Sequence, residues 1–277
     1  MQIMLKLKEV LNLTNKYIVL ATPLILFSLI SNVYLISSSV GRLINVLIVF
    51  LLLTLMSSAF VAGWFTMIKK AVNDEYPENP NLLLRDFVSG VGEYFLPAAG
   101  AVVCLSVFST VLIVIAYIVG YQSIGDIGIT AEQLSEAMKS NEALKLFLIS
   151  LSPEQIIKIN LWNLLLLSTM AGIYFLQIFY FPALFYKNKN PLIAMITGFK
   201  DLFSRKFFKV LLFVVLLLAM YLLLSALSAL SAHSTILHFI VTLLNFYFIV
   251  FLNVGIFYFY NNNFVKIQLG QNIDIEL

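Results

Sequence analysis

The stretch VLLFVVLLLAMYLLLSALSALSA, residues 210–232, contains no charged side chain. About 20 consecutive apolar residues are enough for an α-helix to cross the hydrocarbon core of a bilayer, so this stretch predicts a transmembrane helix. Ser225 and Ala229 are small residues spaced four apart, which would let a second helix approach closely. The stretch therefore predicts an all-α membrane protein whose spanning helices pack on one another.

The composition of the whole chain agrees with this interpretation. Of the 277 residues, 61% are hydrophobic and 11% are charged, and the mean hydropathy is +0.97. The 17 basic and 14 acidic residues are too few to cover a soluble particle of this length. The net charge of +3 is too small to indicate a nucleic-acid partner. The single cysteine, Cys104, excludes an intramolecular disulfide and a four-cysteine metal site.

Apolar runs long enough to span a bilayer, and free of acidic residues, occur six times along the chain. They cover residues 17–37, 43–68, 95–119, 161–186, 207–232 and 235–260. Lys209, near one end of the fifth run, can extend its ammonium group to the membrane surface. The runs predict a polytopic protein with six transmembrane helices arranged as three hairpins.

The distribution of basic residues predicts the orientation of these spans. Cytoplasmic loops close to span ends are enriched in Lys and Arg. With the N-terminus inside, 13 of the 17 basic residues face the cytoplasm, and Arg42, Lys139, Lys145 and Lys158 face outward. We therefore expect a multi-pass protein with its N- and C-termini in the cytoplasm.

A short charged string recurs before the first member of each predicted hairpin. It reads KEVLN at 8–12, RDFVS at 85–89 and KDLFS at 200–204. In each copy the apolar residues fall on one face of a helix and the charged residues on the other, which is typical of a helix that lies in the membrane interface. The alternative is that any cytoplasmic loop leading into a span attracts such residues.

The recurrence predicts a repeated unit in which an amphipathic interfacial helix precedes a transmembrane hairpin. A single membrane domain, 1–277, would then contain three such units, at about 4–70, 79–187 and 190–266. Asn79 and Asn190 each precede a proline, a combination that favours an N-cap followed by Pro at the first helical position.

Residues 120–160 form an insert that is longer than the other external loops. Thr130 with Gln133, and Ser152 with Gln155, have the spacing of capping boxes. They predict an extracytoplasmic helical insert whose second helix continues into the fourth span. Such an insert could be a cap over the bundle, a partner surface or a lid.

The sequence contains no recognisable motif for catalysis or for binding a cofactor. His233 and His238 are five residues apart, a spacing that does not place them on one helix face. The string NDEYPENP, residues 73–80, could bind a divalent cation, but an acidic run is more typical of a solvated linker. We predict no catalytic residue, no cofactor and no metal site.

Four amide side chains within the spans are the candidate polar contacts of the bundle: Asn163, Gln177, Asn245 and Asn253. Amides of this kind form hydrogen bonds between membrane helices. They could instead contact a solute if they surrounded a water-filled cavity at mid-bilayer depth. An ion-driven carrier usually has ionisable residues inside its spans, and the runs given above contain no carboxylate.

The segment GWFTMIKKAVNDEYPENPNLLLRDF, residues 63–87, the hairpin order and the pattern at the span ends resemble a known group. The chain resembles bacterial six-span membrane proteins of unassigned function, in particular the membrane domain attached to some glycerophosphoryl diester phosphodiesterases and its stand-alone relatives. The resemblance implies a location in the cytoplasmic (inner) membrane of a bacterium. The chain has no catalytic phosphodiesterase domain, so the resemblance implies neither that activity nor any functional residue.

Two functions are compatible with the sequence. The first is a non-enzymatic membrane protein that scaffolds, assembles or assists a partner. It would contact the lipid bilayer and either another membrane protein or a second copy of itself. The second is a permease or carrier component for an apolar or lipid-like solute, which needs no buried charge. An intramembrane enzyme ranks third.

Overall fold

The computed structural model of the protein describes residues 2–37, 43–231 and 234–265. Regular structure within these residues is entirely helical, which confirms the predicted all-α class. The α-helices are, in chain order, α1 (Gln2–Lys16), α2 (Ala21–Ser37), α3 (Leu43–Val72), α4 (Leu83–Ser123), α5 (Ala131–Ala137), α6 (Asn141–Ser150), α7 (Pro153–Gln177), α8 (Tyr180–Tyr186), α9 (Pro191–Leu202), α10 (Phe207–Ser231) and α11 (Thr235–Tyr260). Short 3-10 turns precede α2 and α4, and a π-helical turn, Asn261–Val265, follows α11.

Several of these helices are long and apolar enough to cross a membrane, as predicted. Within the described ranges there are five: Leu51–Val72, Pro80–Ser123, Pro153–Tyr186, Phe207–Ser231 and Thr235–Val265. A sixth is obtained if Lys6–Lys16 and Ile18–Asn32 are counted as one span bent by 73°. The arrangement of the spans as three hairpins stays a prediction. Of the residues interpreted above, Arg42, Ala232, His233 and Lys266 lie outside the described ranges.

The chain divides into two compact units. Unit 1 consists of Met1–Leu105 and Leu176–Leu277, and it contains α1 to α3, the first part of α4, and α8 to α11. Unit 2 consists of Ser106–Phe175, and it contains the second part of α4, α5, α6 and most of α7. The single membrane domain and its three repeat units stay predictions.

The three charged strings lie on helices, but the helices differ. The first string lies on α1 and most of the third on α9, and each of these helices ends before the next helix begins. The second string lies on α4, which continues without a break past Pro97 to Ser123. The second amphipathic segment is therefore the beginning of a long helix. Its predicted place at the membrane boundary, like that of α1 and α9, stays a prediction.

The core of unit 1 lies where α3, α8 and α11 end, and we call this region the basal layer. Its centre is formed by the rings of Phe65, Phe185 and Phe257. Phe65 lies 5.9 Å from Phe185 and 5.2 Å from Phe257, measured between ring centroids. Aromatic pairs at such separations contribute beyond the area that they bury. Tyr260 and Phe179 extend the layer, with their centroids 5.3 Å apart.

Unit 2 is held together around Trp162 of α7. The indole ring packs on Gly120 of α4, where an added Cβ atom would lie 2.5 Å from the ring. The indole N–H donates a hydrogen bond to the carbonyl of Gly125 at 3.2 Å. Gly125 has a φ of 79°, which a residue with a side chain rarely adopts, so glycine is needed at this turn.

Both predicted capping boxes in the insert are confirmed. The Thr130 hydroxyl accepts the Gln133 backbone N–H at 3.2 Å, and the Gln133 side chain accepts the Thr130 N–H at 3.0 Å. Ser152 and Gln155 form the same pair at the same two distances, 3.2 and 3.0 Å. The helix that follows, α7, continues into the predicted fourth span, as expected.

The two predicted asparagine caps have different outcomes. The Asn190 side chain accepts the backbone N–H groups of Leu192 and Ile193, which confirms the cap of α9. Asn79 makes no such bond, because its backbone at φ −137° and ψ 82° leads into a 3-10 turn. Asn79 therefore occupies the predicted N-cap position, with Pro80 at the start of the turn, but its side chain does not cap the turn.

Candidate functional site

The four candidate amides have different surroundings. The Asn245 amide donates to the Ser228 hydroxyl at 3.3 Å, which connects α11 to α10, and to a carbonyl of its own helix at 3.0 Å. The Asn253 amide donates to a carbonyl of its own helix at 2.8 Å. Gln177 is half-buried at the end of α7, and Asn163 is exposed on the same helix. None of the four lines either of the two large grooves described below.

In two of the charged strings, the anion pairs with a lysine at the end of the preceding span. Asp86 accepts from Lys70 at 2.7 Å, and Asp201 accepts from Lys187 at 2.8 Å. Asp201 also accepts a hydrogen bond from the Tyr260 hydroxyl at the end of α11. Both carboxylates are largely shielded from solvent, with 10% and 15% of their side chains exposed. The repeated anion therefore holds α4 to α3 and α9 to the end of α8.

The anion of the first string makes an equivalent contact with the last span. Glu9 of α1 accepts a hydrogen bond from the Tyr258 hydroxyl of α11. In this copy α11 takes the place that the preceding helix has in the other two. The three anions therefore tie each amphipathic segment to the end of a spanning helix in the basal layer.

The same pairs of helices approach closely at glycines. A Cβ atom at Gly90 of α4 would lie 2.9 Å from a carbonyl oxygen of α3, and one at Gly198 of α9 would lie 3.2 Å from the carbonyl of Phe179. Gly255 of α11 faces Val10 of α1, with 3.5 Å from an added Cβ atom to the valine methyl. Small residues allow this close approach of membrane helices.

One lysine of the basal layer is held by aromatic rings and a carbonyl. Lys69 donates to the carbonyl of Phe185 at 2.8 Å. Its ammonium nitrogen lies 5.9 Å from the Tyr94 ring centroid and 5.5 Å from that of Tyr186. Cation–π contacts of this kind stabilise a partly buried ammonium group. Lys69 therefore joins α3 to α8 and α4.

The acidic linker after α3 binds groups of the protein itself. Asp74 accepts from the Lys16 ammonium at 2.6 Å and from the Tyr17 hydroxyl. These two hydrogen bonds, with that of Lys16 the stronger, lower the pKa of the Asp74 carboxyl. Asp74 has a φ of 55° and, with Glu75, donates its backbone N–H to carbonyls in the last turn of α3. This is the geometry of a Schellman motif, in which glycine is the usual residue.

A group of three lysines lies where α1 approaches the start of α10. Lys206 donates to a backbone carbonyl of the turn after α11, and its nitrogen lies 5.1 Å from the Phe264 ring centroid. Burial, followed by the charges of Lys209 and Lys6, lowers the pKa of the Lys206 ammonium. Lys206 is therefore repelled by the charges of both other lysines.

A groove, here called the α1 groove, lies between α1, α10 and α11. It has a volume of about 470 Å³ and an almost wholly apolar lining. The lining residues are Leu7, Lys8 and Leu11 of α1, Met220, Leu223, Leu224 and Leu227 of α10, and Leu244, Tyr247, Phe248 and Phe251 of α11. Lys8 is exposed and is the one charged residue of the lining.

A second groove, here called the α2 groove, has a corresponding position next to the second charged string. Its volume is about 420 Å³, and it lies between α2, α3 and the start of α4. The lining residues are Thr22, Pro23, Leu26, Phe27 and Ile30 of α2, Met56, Ala59 and Phe60 of α3, and Leu84 and Phe87 of α4. Each groove thus lies between two apolar helices and the segment with a charged string that is tied to one of them.

The described ranges contain no group of three His, Cys, Asp or Glu side chains that could hold a metal ion. His238 lies on the first turn of α11, and Cys104 is a half-buried residue of α4. No protein-family profile, curated protein or solved structure matches the chain. The site therefore has to be interpreted from its own chemistry.

The interactions of the basal layer were only partly visible in the sequence. The recurring anion indicated Glu9, Asp86 and Asp201, but sequence reasoning missed their partners. In the sequence, Lys70 and Lys187 count only among the basic residues that indicate the orientation, and nothing singles out Tyr258 or Tyr260. A signal was available for the lysines, since each lies 14 to 16 residues before its anion.

Proposed function

We propose that the protein is a non-enzymatic, multi-pass protein of the cytoplasmic membrane that scaffolds, assembles or assists a membrane partner. The observation that carries this proposal is the buried aromatic centre of unit 1, formed by Phe65, Phe185 and Phe257. This aromatic centre packs the ends of α3, α8 and α11 together in the basal layer. A closed layer with apolar flanks beside it suits contact with other helices better than passage of a solute.

The exposed flanks support the same proposal. Leu222 of α10 and Phe239 of α11 are 59% and 63% exposed. In a bilayer these side chains would face lipid tails or the helices of another protein. Association of membrane helices depends on packing and on interhelical hydrogen bonds, so apolar flanks of this kind can accept a partner.

The carboxylates of the basal layer support a role without catalysis. Asp74, Asp86 and Asp201 each accept a hydrogen bond from a lysine. Each of these carboxylates is thus engaged in holding two segments of the chain together, which is a structural use. The resemblance to the phosphodiesterase membrane domain remains part of the proposal, and it supplies no active-site residue.

Photo-crosslinking in native membranes tests the scaffold proposal. A photoreactive phenylalanine analogue at Leu222 or Phe239 should give a discrete adduct with another membrane protein, or with a differently tagged second copy. The same analogue at Leu217, which is 5% exposed on α10, is the control and should give no adduct between chains. Adducts with lipid alone at both exposed positions would contradict the proposal.

The proposed orientation places both termini in the cytoplasm. In a background with Cys104 replaced by serine, single cysteines at Asn141 and Ser204 can be labelled with a membrane-impermeant reagent. Reagent added from outside should label the cysteine at 141, at the start of α6, and not that at 204, between α9 and α10. The reverse pattern would overturn the orientation.

A second candidate function is a carrier for an apolar or lipid-like solute. The observation that favours it is the α1 groove, whose volume of about 470 Å³ is lined almost wholly by apolar side chains. Purified protein in vesicles would then move a fluorescent fatty acid faster than protein-free vesicles do. A flux equal to that of protein-free vesicles would exclude this candidate for that solute.

A further inference from the structure

We propose that the α1 groove binds a phospholipid with an anionic headgroup, its acyl chain lying along α10 and α11 and its phosphate meeting the lysines around α1. This goes beyond the scaffold proposal, because it assigns a ligand and a site. It also differs from the carrier alternative, since binding a lipid does not require releasing it on the other side.

The shape and chemistry of the groove suit an acyl chain. Its volume of about 470 Å³ lies within the range of roughly 300–1,000 Å³ that is typical of ligand pockets. Met220, Leu223 and Leu227 follow one side of α10 at intervals of three and four residues, which gives a continuous apolar wall. The Tyr247 hydroxyl donates to Asn15 at 2.6 Å, so its polar group already has a partner.

Cations lie on both edges of the surface that α1 contributes. At about 100° per residue, Lys6 and Lys8 point to opposite sides of Leu7, which lines the groove. Lys8 itself lines the groove, whereas Lys6 borders a small cavity of about 20 Å³ that shares Leu7 as a wall. An anion near α1 would therefore meet a lysine on either side of the apolar surface.

Neither Lys6 nor Lys8 forms an ion pair with another residue of the described ranges. Burial lowers the pKa of the Lys206 ammonium, the charges of Lys209 and Lys6 lower it further, and the charge of Asp201 raises it. Glu9, which follows Lys8, accepts a hydrogen bond from Tyr258, and Asp201 pairs with Lys187. A lipid phosphate would relieve the repulsion among these cations, and basic pockets between membrane helices bind anionic headgroups for this reason.

Native mass spectrometry of the delipidated full-length protein in detergent tests the proposal. Phosphatidylglycerol and phosphatidylcholine with the same acyl chains are titrated separately. One phosphatidylglycerol should bind at least about fivefold more tightly than phosphatidylcholine, since each lysine near the membrane surface contributes about that factor. Lys8→Gln should reduce this preference about fivefold, whereas Lys200→Gln, an exposed lysine on α9, should leave it unchanged.

Filling the groove tests the position of the acyl chain. Leu223→Trp on the groove wall should abolish binding of both lipids, whereas Leu222→Trp on the adjacent exposed position should not. Glycerol 3-phosphate, which has the phosphate but no acyl chain, should not compete. Equal binding of the two lipids, equal loss in the two tryptophan variants, or displacement by glycerol 3-phosphate would overturn the proposal. If the lipid binds as expected but photo-crosslinking gives no adduct with another protein, only the scaffold function is contradicted.

Discussion

The two halves of α11 have similar apolar compositions but opposite surroundings. In the first half, Ile236 and Phe239 are 76% and 63% exposed. In the second half, Val250 and Phe257 are at most 1% exposed. Hydropathy alone does not distinguish an apolar residue that packs within the protein from one that would face lipid. The second half differs in carrying Gly255, which allows close packing, and Tyr258 and Tyr260, whose hydroxyls donate to carboxylates in the basal layer.

The largest expected difference between the halves concerns a phenylalanine in each. Phe257→Ala should lower the free energy of unfolding by about 3–5 kcal/mol, because it leaves a cavity among the aromatic rings. Phe239→Ala, on the exposed half of the same helix, should change it by less than about 0.5 kcal/mol. Thermal unfolding of the purified protein in detergent measures both. Equal effects would show that the two halves do not differ in packing.

The ion pairs of the basal layer should also differ according to their exposure. Asp201→Asn leaves Lys187, whose side chain is 17% exposed, without its anion and should cost about 2–3 kcal/mol. Glu93→Gln removes the partner of Lys189 in a pair whose side chains are 53% and 54% exposed, and should cost less than about 1 kcal/mol. The comparison uses unfolding midpoints in low salt. If Glu93→Gln lowered the unfolding midpoint more than Asp201→Asn, the more exposed ion pair would contribute more to stability.

Substitutions at two glycines of α4 distinguish the effect of close packing on stability from the effect of helix propensity. Gly90→Ala places a methyl group against α3 and should cost about 1–2 kcal/mol, even though alanine favours a helix. Gly92→Ala, where an added Cβ atom meets nothing within 4 Å, should be neutral or stabilise by up to about 1 kcal/mol. Both variants are compared by thermal unfolding. If both were stabilising, α4 would not pack on α3 as described.

The smallest expected effect concerns the pH dependence of Asp74. Hydrogen bonds from Lys16 and Tyr17 lower the pKa of this carboxyl in the folded protein. Its contribution to stability is therefore complete above about pH 4 and is lost as the pH falls through the lower, folded pKa. Since the side chain is 47% exposed, Asp74→Asn should cost at most about 1 kcal/mol at pH 7.

The difference in unfolding midpoint between the wild type and Asp74→Asn should therefore shrink from pH 7 to pH 3. Asparagine also tolerates the positive φ of this position, so the variant changes the charge with little backbone strain. A difference that stayed constant down to pH 3 would mean that Asp74 acts through its backbone geometry and not through its charge.

Local features of the fold could be predicted from the sequence, because their partners are close along the chain. The capping boxes at Thr130 and Ser152 involve groups three residues apart, and both are present. The apolar runs likewise predicted long helices. The sequence did not predict that α4 is one continuous helix. A helical pattern has the same period whether a helix ends or continues, and α4 continues past Pro97.

Contacts between distant segments could not be predicted in the same way. The charged string indicated Glu9 and Asp201, but a single sequence does not indicate which tyrosine meets which carboxylate. The amide of Asn245 could be identified as a polar group within a span, whereas its bond to Ser228 depends on the register of α10 against α11. Register follows from packing along the whole helix and is not encoded by one residue.

The contact between Glu9 and Tyr258 joins residues 249 positions apart in the chain. At roughly 5–20 residues per second, the ribosome would take roughly ten to fifty seconds to make the second partner after the first. During this interval α1 has no α11 to pack on, and its apolar stripe needs another surface, which the bilayer boundary can supply. The helix that is synthesised first would therefore be among the last to reach its final position.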